Sequence, residues 1–168
     1  MGQYSDIDEI DFALGSLAQS HSRDQYEERL AALARLAVEH PNEIIALYHA
    51  GAFDQMPLVW CLQGQSSNAV IDLFHEALKH SNQYVRWAAA EGIDRSGRRD
   101  QVAVFVEALK DRSHLVRGVA VGYLKRHGDA SALPGLTYLA GLKSMRRNSP
   151  GTVKTAEEAI KAIRKRST

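Results

Sequence analysis

The chain has 168 residues, of which 45% are hydrophobic and 24% charged, and its formal net charge is +1. This composition is typical of a folded globular protein and too apolar for a disordered one. Cys61 is the single cysteine. One cysteine excludes an internal disulfide and a cysteine cluster for zinc, and it favours a reducing, cytoplasmic location.

The N-terminal segment and the hydropathy give no sign of membrane targeting. Residues 1–11 are acidic, whereas a signal peptide begins with basic residues followed by an apolar run. No apolar stretch approaches the length of about 18 residues that a membrane span needs. Charge is also uneven along the chain, since residues 1–30 are mainly acidic and residues 143–168 mainly basic. This polarity is suited to guiding an acidic partner, although solvated helix faces account for it equally well.

The first 65 residues show helical periodicity. Tyr26, Leu30, Leu33 and Ala37 form one apolar stripe, which ends at His40-Pro41. Two short helices are predicted next, over 42–50 and 54–62, separated by Gly51 and ended by Gly64. We expect residues 1–65 to form an N-terminal helical cap or degenerate repeats.

A repeat of 31 residues follows. Glu76-Ala-Leu-Lys79 recurs as Glu107-Ala-Leu-Lys110, and nine of the 22 residues from Glu76 to Gly97 are identical at this offset. Repeats of this length indicate stacked supersecondary units. Other matched positions have the residues that a helix pair requires. Asn82 and Ser113 are suitable N-caps, and Gly97 and Gly128 stand where left-handed glycines end helices.

A third, looser copy follows, with the apolar residues Leu133, Leu136 and Ala140. Its inter-helix turn, 144–150, is longer and more basic, and the last helix is predicted to start near Pro150. No alternating β-branched runs occur, so no β-structure is expected. The sequence thus predicts an all-α superhelix in which residues 66–168 form three antiparallel helix pairs, continuous with residues 1–65 in one domain.

The second helices carry a resemblance to a known family. Ala77-Leu-Lys79 followed by Tyr84-Val-Arg-Trp-Ala-Ala-Ala90 resembles the bacterial HEAT repeat, whose second helix begins with Val-Arg and an alanine-rich run. Leu109-Lys-Asp111 followed by Val116-Arg-Gly-Val-Ala120 looks like the next unit. The third unit departs from the pattern at Val153-Lys154. The resemblance implies an α-solenoid that binds other proteins.

The sequence contains no constellation for catalysis. No two of the seven histidines stand at i, i+4, the spacing that would place two imidazoles on one helix face for a metal. Cys61 lies in an apolar run, which favours a buried, inert thiol. Glycine-rich phosphate loops are missing as well. We therefore expect a protein without enzymatic activity, cofactor or metal.

Candidate binding residues lie on and after the second helices. Trp87 replaces the glycine of the next copy, so it is either a contact residue or packs against the preceding helix. Arg86 and Arg117 are expected to bond a carboxylate or helix-end carbonyl of the adjacent unit, Asp111 among them. Stacking would align further arginines along one rim, unless these form only a solvated turn region. The complete predicted set is Trp87, Arg86, Glu91, Arg95, Arg98, Arg99, Arg117 and Arg126.

The leading hypothesis is a protein-binding scaffold or adaptor, such as a regulator, an assembly factor or an immunity-type protein, whose partner has an acidic surface. Because some HEAT-like proteins bind DNA and excise alkylated bases, a nucleic-acid-binding protein is an alternative. The isoelectric point of about 7.9 disfavours it. A second alternative, a phycobilin-lyase-like assembly protein, rests on analogy of fold alone.

Overall fold

The computed structural model describes residues 6–51 and 53–166. Residues 1–5 of the acidic N-terminal segment lie outside the described residues, as do residues 52, 167 and 168. The regular structure of the described part consists of eleven α-helices and one short 3₁₀ helix, with no strand. The predicted all-α class is therefore confirmed. The chain forms two compact units, Met1–Ser96 and Gly97–Thr168.

Three helix pairs make up the first unit. In each pair, a first helix packs against the helix that follows it, and the second helices also pack on one another in chain order. The six helices are α1 (Asp6–Ala18), α2 (Arg23–Glu39), α3 (Pro41–Ala50), α4 (Gln55–Cys61), α5 (Asn68–Ala77) and α6 (Gln83–Arg95). Residues up to 65 thus contribute α1–α4, and their assignment as a cap or as degenerate repeats stays a prediction.

Local sequence fixes the limits of these helices. The side chains of Ser67 and Asn82 accept hydrogen bonds from backbone N–H groups of the first turns of α5 and α6. Beyond α6, Gly97 has a φ of 74°, which confirms the predicted left-handed conformation. The apolar stripe predicted for α5 is also confirmed, since Val70, Leu73, Phe74 and Ala77 are all buried.

The second unit contains two helix pairs. The helix α7 (Val102–Ala108) packs on α8 (His114–His127), and α9 (Leu133–Gly141) packs on α11 (Pro150–Arg166). The second helices α8 and α11 pack against each other as well. Tyr123 of α8 is fully buried and stacks on Phe105 of α7, with ring centroids 4.1 Å apart.

Two predictions for the second unit are wrong. Gly128 has φ −64° and is not left-handed. It is required instead for close packing, because a Cβ there would lie 2.5 Å from the Leu124 carbonyl oxygen and 3.1 Å from Ile163 Cδ1. The predicted basic turn after α9 contains a further helix, α10 (Lys143–Asn148). Its Met145 is buried, and packing of this one apolar side chain stabilises a short helix in an otherwise polar segment.

Candidate functional site

A groove of about 640 Å³ crosses the second helices of the first unit. Its larger apolar and aromatic side chains are Tyr26 and Leu30 from α2, Met56 and Trp60 from α4, and Trp87 from α6. All five are partly exposed rather than buried. Because the second helices pack side by side, their outer faces place side chains from distant parts of the sequence next to one another.

Two tryptophans form the centre of this groove. The rings of Trp60 and Trp87 have centroids 5.2 Å apart and planes inclined at 40°. The guanidinium carbon of Arg95 lies 5.9 Å from the centroid of the Trp60 ring, within the range of a cation–π interaction. Trp87 thus packs against α4, the preceding second helix, and still exposes part of its ring. Packing against that helix and contact with a partner, the two roles considered for this residue, are therefore compatible.

The helical period explains why three of the predicted residues act together. Trp87, Glu91 and Arg95 stand at i, i+4 and i+8 and so share one face of α6. The Arg95 Nε lies 3.3 Å from a carboxylate oxygen of Glu91, which holds the guanidinium toward the tryptophans. The pair is largely solvent-accessible on the arginine side, so it contributes little to stability and its carboxylate is exchangeable for that of a ligand.

The opposite edge of the groove has a matching pair on α2. Arg23 Nε lies 2.7 Å from a carboxylate oxygen of Glu27, and both side chains are exposed. Burial, together with the carboxylate of Asp54, raises the pKa of the nearby Tyr26 hydroxyl above its usual range. A tyrosine hydroxyl is protonated at neutral pH and can donate a hydrogen bond. An apolar floor bordered by an arginine on each side is the result.

Arg86 has a different environment. It is 4% exposed, and its Nη1 donates to the carbonyl oxygens of His80 and Ser81, both at 2.9 Å. These acceptors lie in the turn before its own helix, because the side chain points back toward the helix N-terminus. The interaction closes the inter-helix turn within one repeat, whereas the sequence suggested a tie to the adjacent unit.

Arg117 repeats this arrangement one unit later. Its Nη1 donates to the carbonyl oxygens of Asp111 at 2.6 Å and Arg112 at 3.0 Å. Asp111 thus contributes its backbone carbonyl, while its carboxylate accepts the Ser113 N–H at 2.7 Å. Asp111 and a carbonyl acceptor were both among the expectations, but the bond lies within one repeat and does not reach the adjacent unit.

The other predicted arginines lie in the second unit. Arg98 forms an ion pair with Asp100 at 3.5 Å, and Arg99 and Arg126 are exposed. Their alignment with Arg95 along one rim stays a prediction. The structure brings Trp87, Glu91 and Arg95 together, and the sequence alone did not identify Trp60, Tyr26 or Arg23 as their neighbours. Trp60 lies 27 positions before Trp87, so the 31-residue repeat does not align the two.

No group of three or more potential metal ligands occurs among the described residues. Cys61 is buried, as predicted, and its Sγ lies 3.1 Å from the Leu58 carbonyl oxygen. Burial raises the pKa of this thiol from 9.0 to about 12. A thiol that is protonated at neutral pH is a poor nucleophile.

Comparison with known proteins locates the repeat. A family model described as HEAT repeats matches residues 71–161, which is more than half of the chain. The match begins in α5 and ends in α11, and it confirms the resemblance drawn from the Val-Arg motifs. No curated protein matches the sequence. Within the described residues, no helix is both long and apolar enough to cross a membrane.

Proposed function

Because the chain belongs to the HEAT-repeat family, we propose that it is a non-catalytic, cytoplasmic scaffold or adaptor that binds another protein. A regulator, an assembly factor and an immunity-type protein all act in this way. Stacked helix pairs present extended surfaces, and partners are recognised there by shape and charge. The binding surface on this proposal is the groove formed by α2, α4 and α6.

The tryptophan pair is the observation that carries this proposal. Trp60 and Trp87 leave part of their rings accessible in a concave site. Tryptophan and arginine are among the residues most enriched in binding hot spots. Packing of the repeat does not require Trp87, since the next copy has Gly118 at the same position.

The charges around the groove favour a partner segment that has both apolar and acidic side chains. An apolar or aromatic side chain can pack in the groove against the exposed parts of the two indoles, and carboxylates beside it can pair with Arg23 and Arg95. Glu27 and Glu91 pair with these arginines in the free protein. Exchange of one exposed ion pair for another costs little. The partner is therefore expected to combine an apolar anchor with acidic neighbours.

Affinity capture from the native cell tests the proposal. The wild-type chain is compared with Trp87→Ala and Arg95→Glu, and captured proteins are quantified by mass spectrometry. We expect the same protein to fall about tenfold or more in both variants, as for loss of a hot-spot residue. Tyr138→Ala serves as the matched control, because Tyr138 is an aromatic residue of the second unit with 72% exposure.

Two outcomes would contradict the proposal. If both groove variants retain every partner, the groove is not the binding surface. If nuclease treatment removes the captured material, the chain binds nucleic acid rather than protein. Far-UV circular dichroism of each variant establishes that it is folded before capture is interpreted.

A further inference from the structure

A second concave site, in the unit Gly97–Thr168, has the opposite chemistry. This cavity of about 260 Å³ lies where α10 approaches the start of α8. Arg112, His114 and Arg117 line one side, and the polar side chains on the other side are Ser144, Asn148 and Ser149. No acidic side chain belongs to the described lining.

Comparison of the two repeat copies shows that packing of the repeat does not require the basic side chains of Arg112 and His114. Arg86 and Arg117 are equivalent at the 31-residue offset and make the same two bonds to turn carbonyls. At the same offset, however, Arg112 replaces Ser81 and His114 replaces Gln83. The second copy therefore adds basic side chains around an arginine that closes the turn in both copies.

Arg117 also differs in its hydrogen bonding. Arg86 is buried, whereas Arg117 is partly exposed and reaches α10, with Nη2 3.3 Å from the Met145 sulfur. The Nε–H of Arg117 is buried and has no hydrogen-bond acceptor among the described residues. An unmet buried donor is unfavourable. A small shift of this guanidinium toward a bound anion would give the N–H an acceptor.

We propose that this pocket binds a phosphate monoester. Arginine guanidinium groups match phosphate oxygens in geometry, and histidine, serine hydroxyl and asparagine amide groups supply further donors around one centre. Three terminal oxygens on a monoester can use these donors, whereas a carboxylate has two. A nucleic-acid backbone needs a continuous basic track rather than one small, local cavity.

The phosphate group can come from a phosphorylated side chain of a protein or from a small phosphorylated molecule. Both present the same monoester chemistry to Arg112, His114 and Arg117. The site is separate from the tryptophan groove in sequence and in chemistry. Variants of one site therefore test it without altering the residues of the other.

Titration by amide-detected NMR tests the assignment. The full chain receives, in separate titrations, a short glycine-flanked phosphoserine peptide, its unphosphorylated form, inorganic phosphate and a single-stranded DNA oligonucleotide. We expect the phosphopeptide or inorganic phosphate to shift the amides of 112–117 and 144–149, and the unphosphorylated peptide to leave them unchanged. Tighter binding of the peptide identifies a protein source, and tighter binding of inorganic phosphate a small-molecule source.

Exposed pocket residues provide the variants. Arg112→Ala and His114→Ala each remove one donor group, and we expect each to weaken phosphate binding by about tenfold, the effect of one charge-assisted interaction. Lys110→Ala is the control, since Lys110 is an exposed cation of the same unit outside the pocket lining. Absence of binding by both phosphate probes overturns the proposal. So does binding that both pocket variants leave unchanged, or a DNA affinity that exceeds both phosphate probes and falls in these variants.

Discussion

The indole of Trp87 lies against the indole of Trp60, with ring centroids 5.2 Å apart. This contact joins two helices of the first unit and builds the floor of the groove. Aromatic pairs of this kind stabilise proteins by about 0.5–1.5 kcal/mol beyond the area they bury. We expect a double-mutant cycle with Trp60→Ala and Trp87→Ala to show a coupling of this size.

Urea unfolding followed by far-UV circular dichroism measures this coupling, because the signal comes mainly from the helical backbone, whereas fluorescence would depend on the tryptophans that are removed. Phe12, which lines a different cavity on α1, provides the control pair with Trp60. Their effects should add within about 0.5 kcal/mol, as for independent sites. Additivity in the Trp60–Trp87 cycle as well would show that the ring contact has no energetic role.

Gly92 is predicted to be intolerant of any side chain. A Cβ at this position would lie 2.5 Å from Phe74 Cζ, in the interface between α5 and α6. We expect Gly92→Ala to destabilise the protein by about 1–3 kcal/mol, the usual cost of overpacking a core. The measurement is the midpoint and slope of urea unfolding.

Gly118 supplies the matched control for this substitution. It lies in α8, and a Cβ built on it meets nothing within 4 Å. Gly118→Ala should therefore stabilise the protein by up to about 1 kcal/mol through helix propensity. Equal effects at the two glycines would contradict the packing argument. Partial rescue of Gly92→Ala by Phe74→Leu would support it.

Tyr123 occupies the position of Gly92 in the next repeat, and its hydroxyl group serves a separate purpose. It donates to the Arg98 carbonyl oxygen at 2.8 Å and accepts from the Gln101 N–H at 3.2 Å. We expect Tyr123→Phe to lower the free energy of unfolding by about 1–3 kcal/mol, because buried backbone groups lose a partner. The same change at the exposed Tyr138 should have no measurable effect on thermal or urea unfolding.

Cys61 should be unreactive while the chain is folded. Its pKa is raised to about 12 by burial, so few thiolates exist at pH 8 and a disulfide reagent should modify it only slowly. Addition of urea should restore rapid modification. Rapid reaction of the native protein would contradict the burial of this thiol.

The raised pKa also predicts a pH dependence of stability with a defined sign. The unfolded thiol ionises near 9.0 and the folded one near 12, so the stabilisation is fully present below pH 9.0 and decreases toward pH 12. Each pH unit in that window costs up to about 1.4 kcal/mol. The comparison of wild type with Cys61→Ala isolates this contribution. Identical pH profiles for the two proteins would exclude it.

Local features of the fold could be predicted because their causes lie within a few residues. The N-caps at Asn82 and Ser113 and the left-handed Gly97 depend on backbone groups of the adjacent turn, and each is confirmed. The period of apolar residues likewise identified the buried faces. Gly128 was assigned the wrong role because close packing constrains it: a Cβ there would lie 2.5 Å from the Leu124 carbonyl oxygen and 3.1 Å from Ile163, which is 35 positions later in the sequence.

The candidate sites likewise combine local features, which the sequence predicts, with contacts between distant residues, which it does not. The sequence by itself predicted the all-α class and placed Trp87, Glu91 and Arg95 on one face, since helical spacing alone fixes that relationship. Only the tertiary structure set Trp60 against Trp87 and brought α10 to Arg117. These contacts depend on how separate helices pack, and side chains far apart in the chain meet through packing rather than through any local rule.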